Sequence, residues 1–287
     1  MENAIKNRYE FVMLFDVENG NPNGDPDAGN MPRTDPETGL GIVTDVCIKR
    51  KIRNYVELVK EGEGGYNILI KANKSLNSKF KEAYEANDLK TGQKGKNAND
   101  VKTAQKYICA NYFDVRTFGA VMSTGDDPCG IVRGPVQLNF ARSIDPVSTN
   151  EITITRQAVT SDKDFENKQT EMGKKSFISY GLYRAEGYVS AMLAQKVTGY
   201  SEDDLELLWN AIINMFENDH SAARGKMCLR KLYIFKHDSV LGNAPSNILF
   251  DKIAIEKNTS EPPRRFSDYT VTVDKTMPAG VELIVKI

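Results

Sequence analysis

The 287-residue chain has few of the residues that build metal centres and disulfide frameworks, with four cysteines and two histidines. The six residues lie far apart in the sequence, as Cys47, Cys109, Cys129, Cys228, His220 and His237. Zinc ribbons and disulfide-rich secreted domains place such residues at short, regular spacings. The sequence therefore predicts neither class, and the cysteines are expected to be small buried side chains.

Long hydrophobic runs are also missing. No stretch approaches the roughly 18 apolar residues that a membrane helix needs, and residues 1–10 (MENAIKNRYE) lack the apolar centre of a signal peptide. Hydrophobic residues make up 40% of the chain and charged residues 27%, which is typical of a globular protein with a sizeable core. We therefore expect a soluble, cytoplasmic protein.

Familiar catalytic signatures are absent as well. The sequence contains no Walker A motif, dinucleotide-binding fingerprint, G-x-S-x-G elbow or HExxH pair. Asn19, Asn21 and Asn23 faintly echo a calcium loop, but the twelfth position is Asn30 and not a bidentate glutamate. We predict a protein without metal or cofactor, and catalysis is the minority interpretation.

Overall charge gives no pull toward nucleic acid, since the formal net charge is −1, but the charges are segregated. Residues 71–106 contain nine lysines against four acidic residues. Residues 201–220 contain six acidic residues and neither lysine nor arginine. This pattern indicates one basic and one acidic face, or separate solvated patches.

A long polar stretch, residues 16–45, follows the first apolar segment. From Asn19 to Gly41 it holds five glycines, four prolines and four asparagines, and Arg33 is its one basic residue. Glycine and asparagine tolerate left-handed backbone and proline removes a donor, so these residues favour successive turns without a helix or strand. Connections of this length are usually functional, and an ordered surface loop is the alternative.

An amphipathic helix is predicted directly after this loop, capped by Thr44 or Asp45. Its apolar positions recur at helical spacing, as Ile48, Ile52, Tyr55, Val56 and Val59. At about 100° per residue, Lys49, Arg50 and Arg53 fall in one sector beside the apolar stripe. Three cations next to a glycine-rich loop suit a polyanion, whereas a solvated outer face is the alternative.

The rest of the chain predicts an α+β fold. Strands are expected at residues 8–17, 66–71, 131–142, 227–237, 268–273 and 281–287. Residues 151–157 and 176–180 are expected to pair as an antiparallel hairpin, and helices are expected at residues 181–197 and after Ser201. This order favours a ferredoxin-like sheet with large insertions.

Two further arginines, Arg116 and Arg133, are candidates for phosphate contacts, and an internal ion pair is the alternative for each. Phe118 lies between them in the sequence and is expected in the core more than in base stacking.

Four runs of this sequence resemble a known family. They are residues 16–55 (DVENGNPNGDPDAGNMPRTDPETGLGIVTDVCIKRKIRNY), 114–122 (DVRTFGAVM), 134–146 (GPVQLNFARSIDP) and 172–183 (MGKKSFISYGLY). The chain resembles the Cas7-type, CRISPR RNA-binding backbone subunit of the type I-C CRISPR Cascade complex. The resemblance implies a non-catalytic subunit with a ferredoxin-like (RRM-like) palm, inserted fingers and a thumb hairpin. It further implies copies that polymerise along guide RNA and present it for pairing with target DNA in antiviral defence.

The resemblance also implies an organisation and a set of contacts. A single domain would combine a palm (about residues 8–71, 111–142 and 181–287), a lysine-rich insertion (about 72–110) and a thumb (about 143–180). RNA would contact the palm helix, the loop, the palm arginines and the thumb, through Lys49, Arg50, Arg53, Asn21, Asn23, Gly24, Arg33, Arg116, Arg133, Arg156, Met172, Lys174 and Lys175. The implied partners are guide RNA, target DNA through the guide, neighbouring copies, and the processing endonuclease and large subunits.

The acidity of the loop departs from a simple phosphate cradle. Asp25, Asp27 and Asp35 would instead face the basic surface of a neighbouring copy. The alternative function is a metal-dependent endoribonuclease that uses one of these aspartates, and a weaker one is a structural filament without nucleic acid.

Overall fold

The computed structural model describes residues 3–72, 74–92, 96–157 and 171–287, without the side chains of Arg156 and Glu171. It is a mixed α/β structure around a central antiparallel sheet. None of the helices in this part of the chain has the length and hydropathy needed to cross a membrane.

Fourteen strands occur in the described residues. In chain order they are β1 (Tyr9–Gly20), β2 (Gly24–Asp25), β3 (Met31–Pro32), β4 (Leu40–Val43), β5 (Gly119–Met122), β6 (Gly130–Arg133), β7 (Val136–Leu138), β8 (Ala141–Pro146), β9 (Thr149–Arg156), β10 (Glu171–Val189), β11 (Lys226–His237), β12 (Ile253–Lys257), β13 (Tyr269–Val273) and β14 (Val281–Val285). The main sheet has the order β14, β11, β1, β10, β8, β4, and both β7 and β9 pair with β10. Three two-stranded ladders join β2 to β3, β5 to β6 and β12 to β13.

Seven α-helices lie in the same described ranges. They are α1 (Asp45–Val59), α2 (Leu76–Glu85), α3 (Ala98–Asn111), α4 (Phe113–Phe118), α5 (Ala191–Leu193), α6 (Glu202–Asn214) and α7 (Ser246–Phe250). A π-helical turn, Ala194–Thr198, continues α5, and short 3-10 turns occur at Pro26–Ala28 and Phe266–Asp268.

Both faces of the main sheet are buried. On one face Phe11 of β1 packs edge-on against Trp209 of α6, with the ring centroids 5.2 Å apart, and α1 contributes Ile48 and Ile52 to the same core. On the other face Val12 belongs to a second core, which α7, β12 and β13 complete. A third hydrophobic cluster, drawn from residues 69–132, holds α2, α3 and the β5–β6 hairpin together.

Several local predictions are confirmed. β1 lies where the apolar segment predicted a strand, and α1 begins at Asp45 with Thr44 as its N-cap. Ser201 caps α6 in a capping box with Asp204, and β9 pairs antiparallel with β10. The four cysteines are free thiols, of which Cys109 and Cys129 are buried.

Three predictions are wrong. Residues 181–189 form the second half of β10 and not a helix, and only residues 191–198 that follow are helical. Residues 66–71 form no strand, because Leu69 and Ile70 donate their backbone N–H groups to the Asp114 carboxylate at 2.8 and 3.0 Å. The segment at 131–142 is divided into β6, β7 and β8, with Gly134 and Pro135 between the first two.

Candidate nucleic-acid interface

Residues 16–45 were expected to form turns without a helix or strand, and this expectation is wrong, because the segment contains the short strands β2, β3 and β4. β2 pairs with β3 through Gly24 and Pro32, and β4 joins the main sheet beside β8. A Cβ at Gly24 would overlap the side-chain oxygen of Asn30, so a larger residue there would displace the Asn30 side chain. Asn30 itself has a positive φ of 63°, which asparagine tolerates better than most residues.

Asparagines tie this loop to the start of α1. Asn23 Oδ1 accepts hydrogen bonds from the backbone N–H and the hydroxyl of Thr44, both at 2.9 Å. Asn21 donates from Nδ2 to the carbonyl of Asn30 at 2.7 Å, while its buried Oδ1 has no partner within the described residues. The side chain of Asn23 therefore supports the loop from inside.

The three predicted cations of α1 share one face but differ in exposure. Lys49 Nζ lies 2.8 Å from Asp45 Oδ2, and Arg50 donates to the carbonyl of Ile70 at 2.9 Å. Arg53 is buried and its Nε lies 2.8 Å from Asp114 Oδ2. Lys49 and Arg50 thus remain partly accessible, whereas Arg53 holds the helix against residues 69–70 through the shared Asp114.

Phe118 is the point where α1 meets the inserted region. Its ring is 7% exposed, with Lys49 Nζ 5.6 Å and Arg53 Cζ 5.3 Å from the ring centroid. These are cation–π distances. The burial of Phe118 among core residues confirms the expectation that it lies in the core. The Phe118 ring therefore packs against both Lys49 and Arg53.

Arg133 lies beside this point at the base of the β5–β6 hairpin. It pairs with Gly119, whose φ of 80° and close approach to the backbone of residues 132–134 require glycine. The Arg133 side chain is exposed, and within the described residues no carboxylate lies within 4 Å of it. Of the predicted palm cations, Arg133 is therefore the one most open to a ligand.

Arg116 forms an internal ion pair, which was the alternative to a phosphate contact. Its Nε and Nη2 each lie 2.8 Å from a carboxylate oxygen of Asp204, and its Nη1 donates to the carbonyl of Cys109 at 2.9 Å. Burial lowers the pKa of Arg116, but the hydrogen bond and charge of Asp204 outweigh it and raise the pKa above its ordinary value. Arg116 joins α4 to the start of α6.

The thumb candidates lie on a separate element, the β9–β10 hairpin. Met172 is 77% exposed, and Lys174 Nζ lies 2.7 Å from Glu151 Oε1, whose hydrogen bond raises the pKa of Lys174. Lys175 lies opposite Ile152 and is half-buried. Arg156 ends β9, and its side chain lies outside the described part of the structure, as does the hairpin tip.

The carboxylates of the loop differ in their hydrogen-bond and ion-pair partners. Asp35 Oδ2 lies 2.8 Å from Arg142, and this hydrogen bond lowers the pKa of Asp35 below its ordinary value. Asp25 lies 3.4 Å from Arg33 and accepts the backbone N–H of Asp27. Within the described ranges no three His, Cys, Asp or Glu side chains lie close enough together to hold a metal ion.

Sequence reasoning missed the partners that decide these roles. Asp114 and Asp204 lie 61 and 88 positions from the arginines they bind, so no local pattern connects them. Arg142 and its partner Asp35 are likewise far apart in the sequence. Only Asp204 had a local signal, because it lies three positions after Ser201, at the spacing of a capping box.

The fold and these residues can be compared with known proteins. The family model for "CRISPR-associated protein Cas7" matches residues 7–274. The chain belongs to the Cas7 family. A Cas7-family protein of Haloferax volcanii, "CRISPR-associated protein Cas7", is 27% identical over 292 aligned positions, which cover 93% of this chain and 81% of that protein.

A solved structure shares the Cas7-family fold. A chain of "CRISPR RNA-guided surveillance complex, pre-nicking" superimposes with a TM-score of 0.50 and 12% sequence identity. The match covers 79% of this chain and 78% of that one. At this identity the match supports the architecture alone.

Proposed function

We propose that this chain is the non-catalytic, CRISPR RNA-binding backbone subunit of a type I-C Cascade surveillance complex. In that role it polymerises along guide RNA and presents the guide for pairing with target DNA. The observation that carries the proposal is the group of cations around residues 118–119: Lys49 lies over the Phe118 ring, exposed Arg133 pairs with Gly119, and the helix that carries Lys49 begins at the ordered glycine- and asparagine-rich loop. This arrangement offers cations to a phosphate backbone, which suits a sequence-independent grip.

The strand order supports a ferredoxin-like (RRM-like) palm. With β1, β8, β10 and β11 as its four strands, the sheet places the fourth, first, third and second strands side by side, all antiparallel. α1 follows the first of these strands and α6 lies between the third and the fourth. This is the split βαβ arrangement.

A domain organisation goes with this palm. The lysine-rich insertion and the β5–β6 hairpin form the fingers, because residues 69–132 share their own hydrophobic cluster. The fingers therefore extend past the 72–110 boundary expected from the sequence. The β9–β10 hairpin is the thumb.

The structure divides the candidate RNA contacts into two groups. Those with accessible side chains or backbone are Asn21, Gly24, Arg33, Lys49, Arg50, Arg133, Met172, Lys174 and Lys175, while the side chain of the remaining candidate, Arg156, lies outside the described part of the structure. Arg53 and Arg116 are buried against carboxylates, and Asn23 binds Thr44, so these three would act by holding the site in shape. Exposed Met172 on the thumb suits contact with an unstacked base.

Partners and location follow from the same role. We propose guide RNA, target DNA through the guide, further copies of the chain, and the processing endonuclease and large subunits as partners, in the cytoplasm. The non-catalytic role is preferred to the nuclease alternative, because Asp25 and Asp35 are each engaged by an arginine and, within the described residues, Asp27 belongs to no group of three side chains that could hold a metal ion.

Salt dependence of RNA binding tests the site. Each phosphate contact to a single strand contributes about 0.7 to the slope of log K against log salt concentration. Arg133→Gln should therefore reduce the slope by about 0.7 and weaken binding equally for unrelated RNA sequences. The measurement is fluorescence anisotropy with two single-stranded RNAs across a salt series.

Lys257→Gln is the matched control, since Lys257 is exposed at the end of β12, a strand that packs on the opposite face of the sheet from α1. Its slope should equal that of the wild type. A wild-type slope for Arg133→Gln would remove this residue from the RNA surface, and a wild-type protein that binds neither RNA would contradict the proposed function.

A further inference from the structure

A basic recess lies outside the site described above. It is a cavity of about 870 Å³ between α3, the turn at residues 64–66 and the segment 196–201. Lys102, Lys106 and Lys196 line it, and the Arg116–Asp204 pair forms part of its wall. All three lysines are exposed and therefore accessible to a partner.

The lysines of this recess have no ion-pair partner among the described residues. The Arg116–Asp204 pair is internally neutral. In the described part of the chain no carboxylate lies within 4 Å of the three lysines. Lys102 and Lys106 stand four residues apart on α3, a spacing at which like charges face each other and repel. An occupant with negative charge would relieve this repulsion.

The chain carries a matching acidic element of fixed shape. Asp27 and Glu37 lie on two consecutive exposed turns of residues 25–39, and within the described residues no cation lies within 4 Å of either carboxylate. Asp25 and Asp35 hold these turns through Arg33 and Arg142. The turns therefore present negative charge with little ordering cost on binding.

The acidic turns and the basic recess lie at opposite ends of the palm. The loop leaves β1 at Gly20, whereas Tyr200 and Ser201 at the recess pair with Ile5 and Ala4, just before β1 begins. Twelve residues of strand span roughly 35–40 Å. One copy cannot bring the two surfaces together, so they are placed for a contact between copies.

We propose that copies join head to tail, with the acidic turns of residues 25–39 of one copy seated against Lys102, Lys106 and Lys196 of the next. The inference rests on the proposed function, in which copies polymerise, and it names the two surfaces that meet. Such a contact is heterologous and leaves both ends free, which builds an open helical filament. Complementary charge fixes which copy follows which and at what register.

Charge reversal on each side tests this contact. Asp27→Lys with Glu37→Lys, and separately Lys102→Glu with Lys106→Glu, should each lower assembly on a long single-stranded RNA by tenfold or more at low salt. The variant with all four changes has a basic loop and an acidic recess, so it should assemble again. Assembly is measured by mass photometry or analytical ultracentrifugation, and Lys257→Glu with Lys275→Glu serves as the matched control, since both of these lysines are exposed beside the β12–β13 ladder.

The rescue separates this contact from other uses of the lysines. If the recess binds nucleic acid, the four-change variant stays as defective as the Lys102→Glu, Lys106→Glu variant, which overturns the proposal. Wild-type assembly of both double variants also overturns it. Loss of folding is excluded when each variant still binds an RNA short enough to form only a 1:1 complex.

The same short RNA distinguishes failure of the contact between copies from failure of the proposed function. Wild-type binding of short RNA by the charge-reversal variants, together with lost and rescued assembly, supports the contact. If the wild-type chain binds no RNA, the proposed function is wrong. The contact is then tested without RNA, by association that rises with protein concentration. This association should be lost in each double variant and restored in the variant with all four changes.

Discussion

Asp204→Ala is expected to lower the free energy of unfolding by about 3–5 kcal/mol, the usual cost of leaving a buried charge without its partner. The Asp204 side chain is nearly fully buried and accepts two hydrogen bonds from Arg116 at 2.8 Å. It also accepts the backbone N–H of Ser201 at 2.9 Å, which completes the capping box of α6. Urea unfolding, with the slope m compared to wild type, measures the loss.

Asp203→Ala is the matched control, because Asp203 lies exposed in the same first turn of α6. It should cost only about 0.3–1 kcal/mol, through the lost interaction with the helix dipole. Replacing both partners, as Arg116→Met with Asp204→Leu, should recover most of the stability. An Asp204→Ala variant within about 1 kcal/mol of wild type would show that this pair does not hold α4 to α6.

Gly134→Ala is expected to cost about 3 kcal/mol, at the upper end of overpacking effects, and to weaken RNA binding as well. A Cβ at residue 134 would lie 2.5 Å from the carbonyl oxygen of Thr117 and would overlap the backbone of Phe118 and Gly119. Backbone cannot move aside as a flexible side chain can. The base of the β5–β6 hairpin would shift, and Arg133 with it. Thermal unfolding and RNA anisotropy measure the two effects.

Gly173→Ala provides the control for this substitution. A Cβ at residue 173 would lie 3.5 Å from Ile154 Cγ1, an ordinary van der Waals contact. Its stability should therefore equal that of the wild type or exceed it slightly, since alanine restricts the unfolded chain. If Gly134→Ala is as stable as Gly173→Ala, the close approach of residues 118–119 to Gly134 is not required.

Elements defined by local signals could be predicted from the sequence. The cap at Thr44 and the spacing of Ile48, Ile52 and Val56 are enough to place α1, and Ser201 places α6 in the same way. Such signals lie within a few residues of one another, so a single sequence contains them.

Elements defined by distant partners could not be predicted. Residues 181–189 are apolar at both helical and strand spacing because β10 is a central strand buried on both faces. Its partner Tyr9 pairs with Val189 from the other end of the chain, and Gly187 leaves the space that the Phe11 ring fills. Only the fold brings these residues together.

The candidate site shows the same division. Helical spacing placed Lys49, Arg50 and Arg53 on one face, but the depth of each depends on residues far away in sequence. Asp114 draws Arg53 into the interior, whereas Arg133 stays exposed on a hairpin that local patterns did not resolve. The prediction of which arginines reach solvent therefore needed the structure.

The most direct test of the central claim is the number of copies bound to single-stranded RNAs of increasing length, measured by native mass spectrometry. A backbone subunit predicts that the copy number rises in regular steps as the RNA is lengthened, and that it is independent of RNA sequence. A copy number that stays constant with RNA length, or equal assemblies in the absence of RNA, would contradict an RNA-templated scaffold.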